Sequence, residues 1–73
     1  MRGRPGIPYG ERLSHELILE LRRANNSGLG WMRIAYAADV DPVTLRRARR
    51  GLPVTRETRE RIERFIETQK RAA

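Results

Sequence analysis

Residue types that perform covalent chemistry are scarce in this chain: it has no cysteine, and its one histidine, His15, lies between Ser14 and Glu16. Consecutive helical residues point about 100° apart, so Ser14-His15-Glu16 does not assemble a nucleophile, a base and an orienting acid. A lone histidine without thiolates holds a metal only where several carboxylates converge on it, so His15 is expected at the surface. No enzymatic activity, metal, cofactor or small-molecule ligand is expected. The chemistry on offer is that of arginine. Arg46, Arg47, Arg49 and Arg50 fall close together, and residues 44–51 contain no acid. A guanidinium is a planar fork of donors that matches a phosphate or the O6 and N7 edge of guanine, and a valine such as Val43 fits a thymine methyl.

These residues need a helix to align them. Asp41-Pro42 is a strong helix start, with Asp as N-cap and Pro at the first helical position, and Gly51 is a natural stop, so a helix is expected over 42–50. On its wheel Leu45 and Ala48 define the buried side, while Val43, Arg46, Arg47 and Arg50 gather opposite. Contacts to base edges or phosphates are therefore expected from Val43, Arg46, Arg47 and Arg50, with Thr44 among the phosphate contacts. Arg49 points nearer the core edge, where a phosphate or a carboxylate such as Glu57 is its expected partner. Trp31 offers an indole N–H to a phosphate, but a large aromatic near Ile34 and Ala35 is also suited to a core or an interface. Solvated helix faces mix signs, as Glu57/Arg61 and Glu60/Arg64 do further along, and the 42–50 face does not.

The rest of the chain supplies the scaffold. Leu13, Leu17, Ile18, Leu21 and Ala24 recur at helical spacing over 11–25, and Asn25-Asn26-Ser27-Gly28 is a stop. A short helix is expected over 31–38 with Ile34, Ala35 and Ala38 on its buried face. Asp39-Val40-Asp41 breaks it, Val40 plugging the turn into the core. After Leu52-Pro53-Val54, Thr55 caps a last helix to about 69, burying Thr58, Ile62, Phe65 and Ile66. The fold class is all-α: a four-helix domain over 11–70, preceded by a basic arm over 1–10 whose glycines and prolines show no periodicity. Leu19 lies off the first stripe, as a lone exposed leucine or part of a partner surface.

The bulk numbers agree with a nucleic-acid partner. A chain of 73 residues makes one small domain, and its net charge of +7 with a pI near 11.4 favours a polyanion ahead of a membrane surface or an acidic protein. Arg dominates Lys, which suits phosphate and guanine and also follows from a GC-rich coding bias. No apolar stretch has the length of a membrane span or a secretory leader, so a cytoplasmic, nucleoid-associated location is expected.

Over about residues 13–66 the chain resembles the Cro and lambda-repressor-like (XRE-type) helix-turn-helix proteins, common among phage and plasmid regulators. The likeness rests on Leu29-Gly30-Trp31-Met32-Arg33-Ile34-Ala35-Tyr36-Ala37-Ala38-Asp39-Val40-Asp41-Pro42-Val43-Thr44-Leu45, ending at Gly51. It implies an extra helix ahead of the motif, a recognition helix in the major groove, base-reading places at Pro42, Val43, Arg46 and Arg47, and a phosphate contact at Arg50. The stretch from Gly51 to Ile62 also looks like the segment that follows the reading head of lactose-repressor-type proteins, where the place matching Arg47 carries a base-reading Arg. That family begins at the motif, whereas this chain places a helix before it. Three departures stand out: Asp39 replaces the usual turn Gly, Trp31 replaces a phosphate-clamping Gln, and Pro42 removes a donor from the reading helix. Arg2-Gly3-Arg4-Pro5 is similar to the AT-hook core, which lies in A·T minor grooves; a tail with two unspecific charges is the plainer alternative.

The expected function is sequence-specific binding of duplex DNA as a homodimer, in a transcriptional repressor or other regulator of the phage or plasmid type. The rivals are a small protein-interaction module, such as an antirepressor or partner subunit with the same fold, and an architectural nucleic-acid binder without sequence preference.

Overall fold

A computed structural model describes residues 10–72 of the protein. Four α-helices occur in order, α1 (His15–Ala24), α2 (Trp31–Ala38), α3 (Pro42–Arg49) and α4 (Arg56–Ala72), with a wide π-type turn at Asn25–Leu29 between the first two. The all-α expectation holds for these residues. One antiparallel bridge between Glu11 and Val54 is the only extended pairing among them.

Three of the four helices begin where a polar side chain satisfies free N–H groups. Ser14 Oγ accepts from the Leu17 N–H at 3.1 Å, starting α1. Asp41 Oδ2 accepts from the Val43 and Thr44 N–H groups at 3.0 and 3.4 Å, with Pro42 at the first position of α3. Thr55 Oγ1 accepts from the Thr58 N–H at 3.1 Å and opens α4. Such caps are worth about 1 kcal/mol each. Only α2 has no side-chain cap, following Gly30.

The α1 start corrects the sequence reading, which began the helix at residue 11. Glu11 is held extended instead: its N–H donates to the Val54 carbonyl at 2.7 Å, and the Val54 N–H returns a bond to the Glu11 carbonyl at 2.9 Å. This pairing competes with helix, and Ser14 supplies the cap three residues later. At the other end α4 runs to Ala72, beyond the expected stop near 69.

Helices α2 and α3 both end in paired 6→1 and 5→2 bonds. For α2, the Val40 N–H reaches the Ala35 carbonyl at 2.9 Å and the Asp39 N–H the Tyr36 carbonyl at 3.1 Å. For α3, Leu52 donates to the Arg47 carbonyl at 3.0 Å and Gly51 to that of Ala48 at 3.0 Å. This motif requires a left-handed residue just past the helix. Gly51 takes that role at φ 85°, and Asp39 does so at φ 61° despite its side chain.

The core is assembled from one face of each helix and the intervening loops. Leu21, Ile34, Leu45 and Ile62 are its largest fully buried side chains, with Ala35 and Ala48 at closer approaches and Phe65 and Ile66 closing it from α4. Val40 and Val54 plug the two loops that flank α3. Among the described residues no buried side-chain polar atom lacks a partner. No described helix is long and apolar enough to cross a membrane.

Candidate nucleic-acid interface

With Leu45 and Ala48 buried, the opposite side of α3 is fixed by helical geometry, and it faces outward. Val43, Arg46, Arg47 and Arg50 are exposed, and Thr44 is half-buried at the margin. The structure thus brings together on one surface the three residues expected to contact bases and two of those expected to contact phosphate.

These arginines differ electrically from those of α4. Arg61 pairs with Glu57 at 2.8 Å, Arg56 with Glu11 at 3.2 Å, and Arg59 with Glu11 and Glu63. The expected Glu57/Arg61 pair is present, whereas Glu60 and Arg64 form no ion pair and Arg59 with Glu63 takes that role. No ion pair among the described residues involves Arg46, Arg47 or Arg50. Their donors face solvent, and their summed charge is uncompensated on this helix.

Arg49 and Trp31 were each expected to contact phosphate, and the structure pairs them with one another. The Arg49 guanidinium carbon stands 4.3 Å from the Trp31 ring centroid. The electron-rich ring face attracts the cation, and the stack ties the end of α3 to the start of α2. Trp31 itself is half-buried and packs on the core, and no Glu57 contact forms. The helical wheel correctly placed Arg49 near the core edge; its partner was set by how α2 crosses α3, which no local pattern records.

Two further features flank this surface. Met32 and Tyr36 are 70% and 90% exposed, and Val43 is 60% exposed. Met32 was missed as a surface residue, although its i,i+4 spacing to Tyr36, opposite Ile34 and Ala38, was a readable signal. Across the turn, Arg61 Nη1 donates to the Asp39 carbonyl at 2.9 Å, clamping the connection between α2 and α3 to α4.

Glu11 lies three residues before the Ser14 cap of α1. Hydrogen bonds from Arg59 and then Arg56 hold its carboxyl below the ordinary carboxylate range, and the same contact raises the Arg59 guanidinium. Arg2, Gly3 and Arg4, the expected minor-groove residues, lie outside the described residues. His15 is exposed at the start of α1, and Leu19 is an exposed apolar residue on that helix. Comparison with family models, with curated proteins and with solved structures found no match.

Proposed function

We propose that this chain binds duplex DNA sequence-specifically, with α2 and α3 acting as a helix-turn-helix of the lambda-repressor-like kind and α3 entering the major groove. The observation that carries this reading is the outward face of α3, where Arg46, Arg47 and Arg50 are exposed without a carboxylate partner beside Val43. Three residues join α2 to α3, and Arg61 and Val40 hold that turn, so the face is presented by a rigid element. Arg46 and Arg47 read guanine edges, Val43 meets a base edge, and Arg50 with Thr44 holds phosphate. Arg2 and Arg4, with Gly3 between them, add contacts in a neighbouring minor groove. The biological role is transcriptional regulation, as a repressor of the phage or plasmid type.

One short helix reads too few base pairs to compete with a genome of non-specific sites, so a homodimer on DNA is part of the proposal. Selection of bound duplexes from a random pool tests it. A palindromic consensus with half-sites about 10 bp apart is expected. Retention of DNA without enrichment of any sequence would leave an architectural binder, and no retention at all would leave a protein-interaction module.

A further inference from the structure

The turn between α2 and α3 is flanked by open space on two sides. Met32, Tyr36 and Pro42 line a groove along one flank, Ala37, Phe65 and Gln69 line another between α2 and α4, and Asp39 borders both. The turn's own hydrogen bonds run to the two helices it joins: the Asp39 and Val40 N–H groups return to α2, and Asp41 caps α3. Two features tie it to the rest of the domain. Val40 enters the core, and Arg61 Nη1 donates to the Asp39 carbonyl at 2.9 Å. Among the described residues this is the one hydrogen bond between the turn and a helix that it does not join. Arg61 Nη2 donates to Glu57 Oε2 at 2.8 Å, so one planar guanidinium is held by α4 at one nitrogen and by the turn at another.

We propose that Arg61, oriented by Glu57, is a positioning residue for base reading: through the Asp39 carbonyl it sets the angle at which α3 meets the base edges. The inference rests on α3 lying in the major groove. A bidentate bond to guanine needs its donors placed within about 0.5 Å and 10–20°, whereas attraction to phosphate is long-ranged and carries no sequence information. A small rotation of α3 about the turn therefore erodes selectivity first and spares the general affinity for DNA.

Folding stability gives this arrangement little reason to exist. The Glu57 and Arg61 side chains are 72% and 38% exposed, and exposed pairs at i,i+4 add little to a fold. The Asp39 carboxylate stands farther from Arg61, at 3.7 Å, so the carbonyl is the firm contact. That carbonyl belongs to the left-handed residue where α2 ends, the point at which a backbone rotation redirects α3. A cation placed there also meets the negative end of the α2 dipole.

The readout is the ratio of affinities for a duplex selected from a random pool and for its scrambled counterpart, taken over a salt series at a temperature where circular dichroism shows each variant folded. Arg61→Met keeps the aliphatic stem and is expected to lower the ratio about tenfold, equivalent to about 1.4 kcal/mol, with the salt slope unchanged. Glu57→Ala removes a negative charge and on electrostatic grounds alone strengthens binding to every duplex. Here it should lower the ratio severalfold instead, and it decides the matter if Arg61→Met does not fold. Asp39→Asn keeps the carbonyl and should lose less selectivity than Arg61→Met; an equal loss assigns the effect to the carboxylate and overturns the carbonyl route. A ratio unchanged in both Arg61→Met and Glu57→Ala overturns the positioning role while leaving the DNA reading in place. A salt slope lower by one ion at an unchanged ratio also overturns it, because Arg61 is then a phosphate contact. Absence of any selected duplex removes the DNA reading itself, and this role with it.

Discussion

The Arg49 guanidinium lies 4.3 Å above the Trp31 ring, joining the last turn of α3 to the first turn of α2. The stack gives Arg49 a partner within the chain, which Arg46, Arg47 and Arg50 lack among the described residues. A double-mutant cycle with Trp31→Leu and Arg49→Ala is expected to show a coupling of about 0.5–1 kcal/mol in urea unfolding. Arg49→Ala should also leave the salt dependence of DNA binding nearly unchanged. A full one-ion drop in the salt slope, with no coupling to Trp31, would return Arg49 to the phosphate contacts.

Arg47 and Arg50 share a face but are assigned different work. Arg47→Ala is expected to cost about 1–3 kcal/mol on the preferred site and to relax preference at one base pair. Arg50→Ala should weaken all duplexes alike and lower the salt slope by roughly one ion. Affinities on preferred and scrambled duplexes over a salt series separate the two. Intact selectivity in Arg47→Ala with a reduced slope would reverse the assignment.

Asp39 adopts φ 61° in a position that glycine occupies without strain, as Gly51 does at the end of α3. Asp39→Gly is therefore expected to stabilise the domain by about 0.5–1 kcal/mol, while Asp39→Ala destabilises it by a similar amount. The Asp39 side chain is exposed and its ion pair with Arg61 is long, so little is lost with it. Chemical denaturation of the three proteins decides between backbone and side chain: equal losses in both variants would assign the effect to the carboxylate.

Glu11 gives the fold an acid-sensitive joint. Because Arg59 and Arg56 lower its pKa in the folded state, its contribution is present above the ordinary value of 4.5 and is lost as pH falls through the lowered value. Arg59 shifts upward from an already high value and stays charged throughout. Glu11→Gln should flatten the decline of the urea midpoint as pH falls below the ordinary carboxylate value of 4.5, while changing the backbone bridge little. An acid limb that keeps its slope in the variant would place the sensitivity on another carboxylate.

The helices were legible in the sequence where local chemistry acts alone. Asp41-Pro42 starts α3 and Thr55 starts α4, as read from cap preferences, and the stripes through Leu21, Ile34, Leu45 and Ile62 gave the buried faces. What escaped local reading depends on partners distant in the chain. The start of α1 moved because Glu11 pairs with Val54, and Arg49 found Trp31 because two helices cross there. The exposed arginines of the candidate site were readable because α3 carries one sign of charge; Met32 was not, because the apolar character of α2 drew attention to its core face.

The bridge between Glu11 and Val54 also bears on time. Its two hydrogen bonds join strands of chain separated by most of the domain, whereas α2 and α3 meet across a three-residue turn. Loop closure opposes the first kind of contact until the core exists, so the bridge forms late and is among the first parts to open. Opening it detaches Glu11 from the loop ahead of α4, while Leu13 stays buried in the core. The exchange rates of the Glu11 and Val54 amides measure how often this joint opens ahead of the rest of the fold.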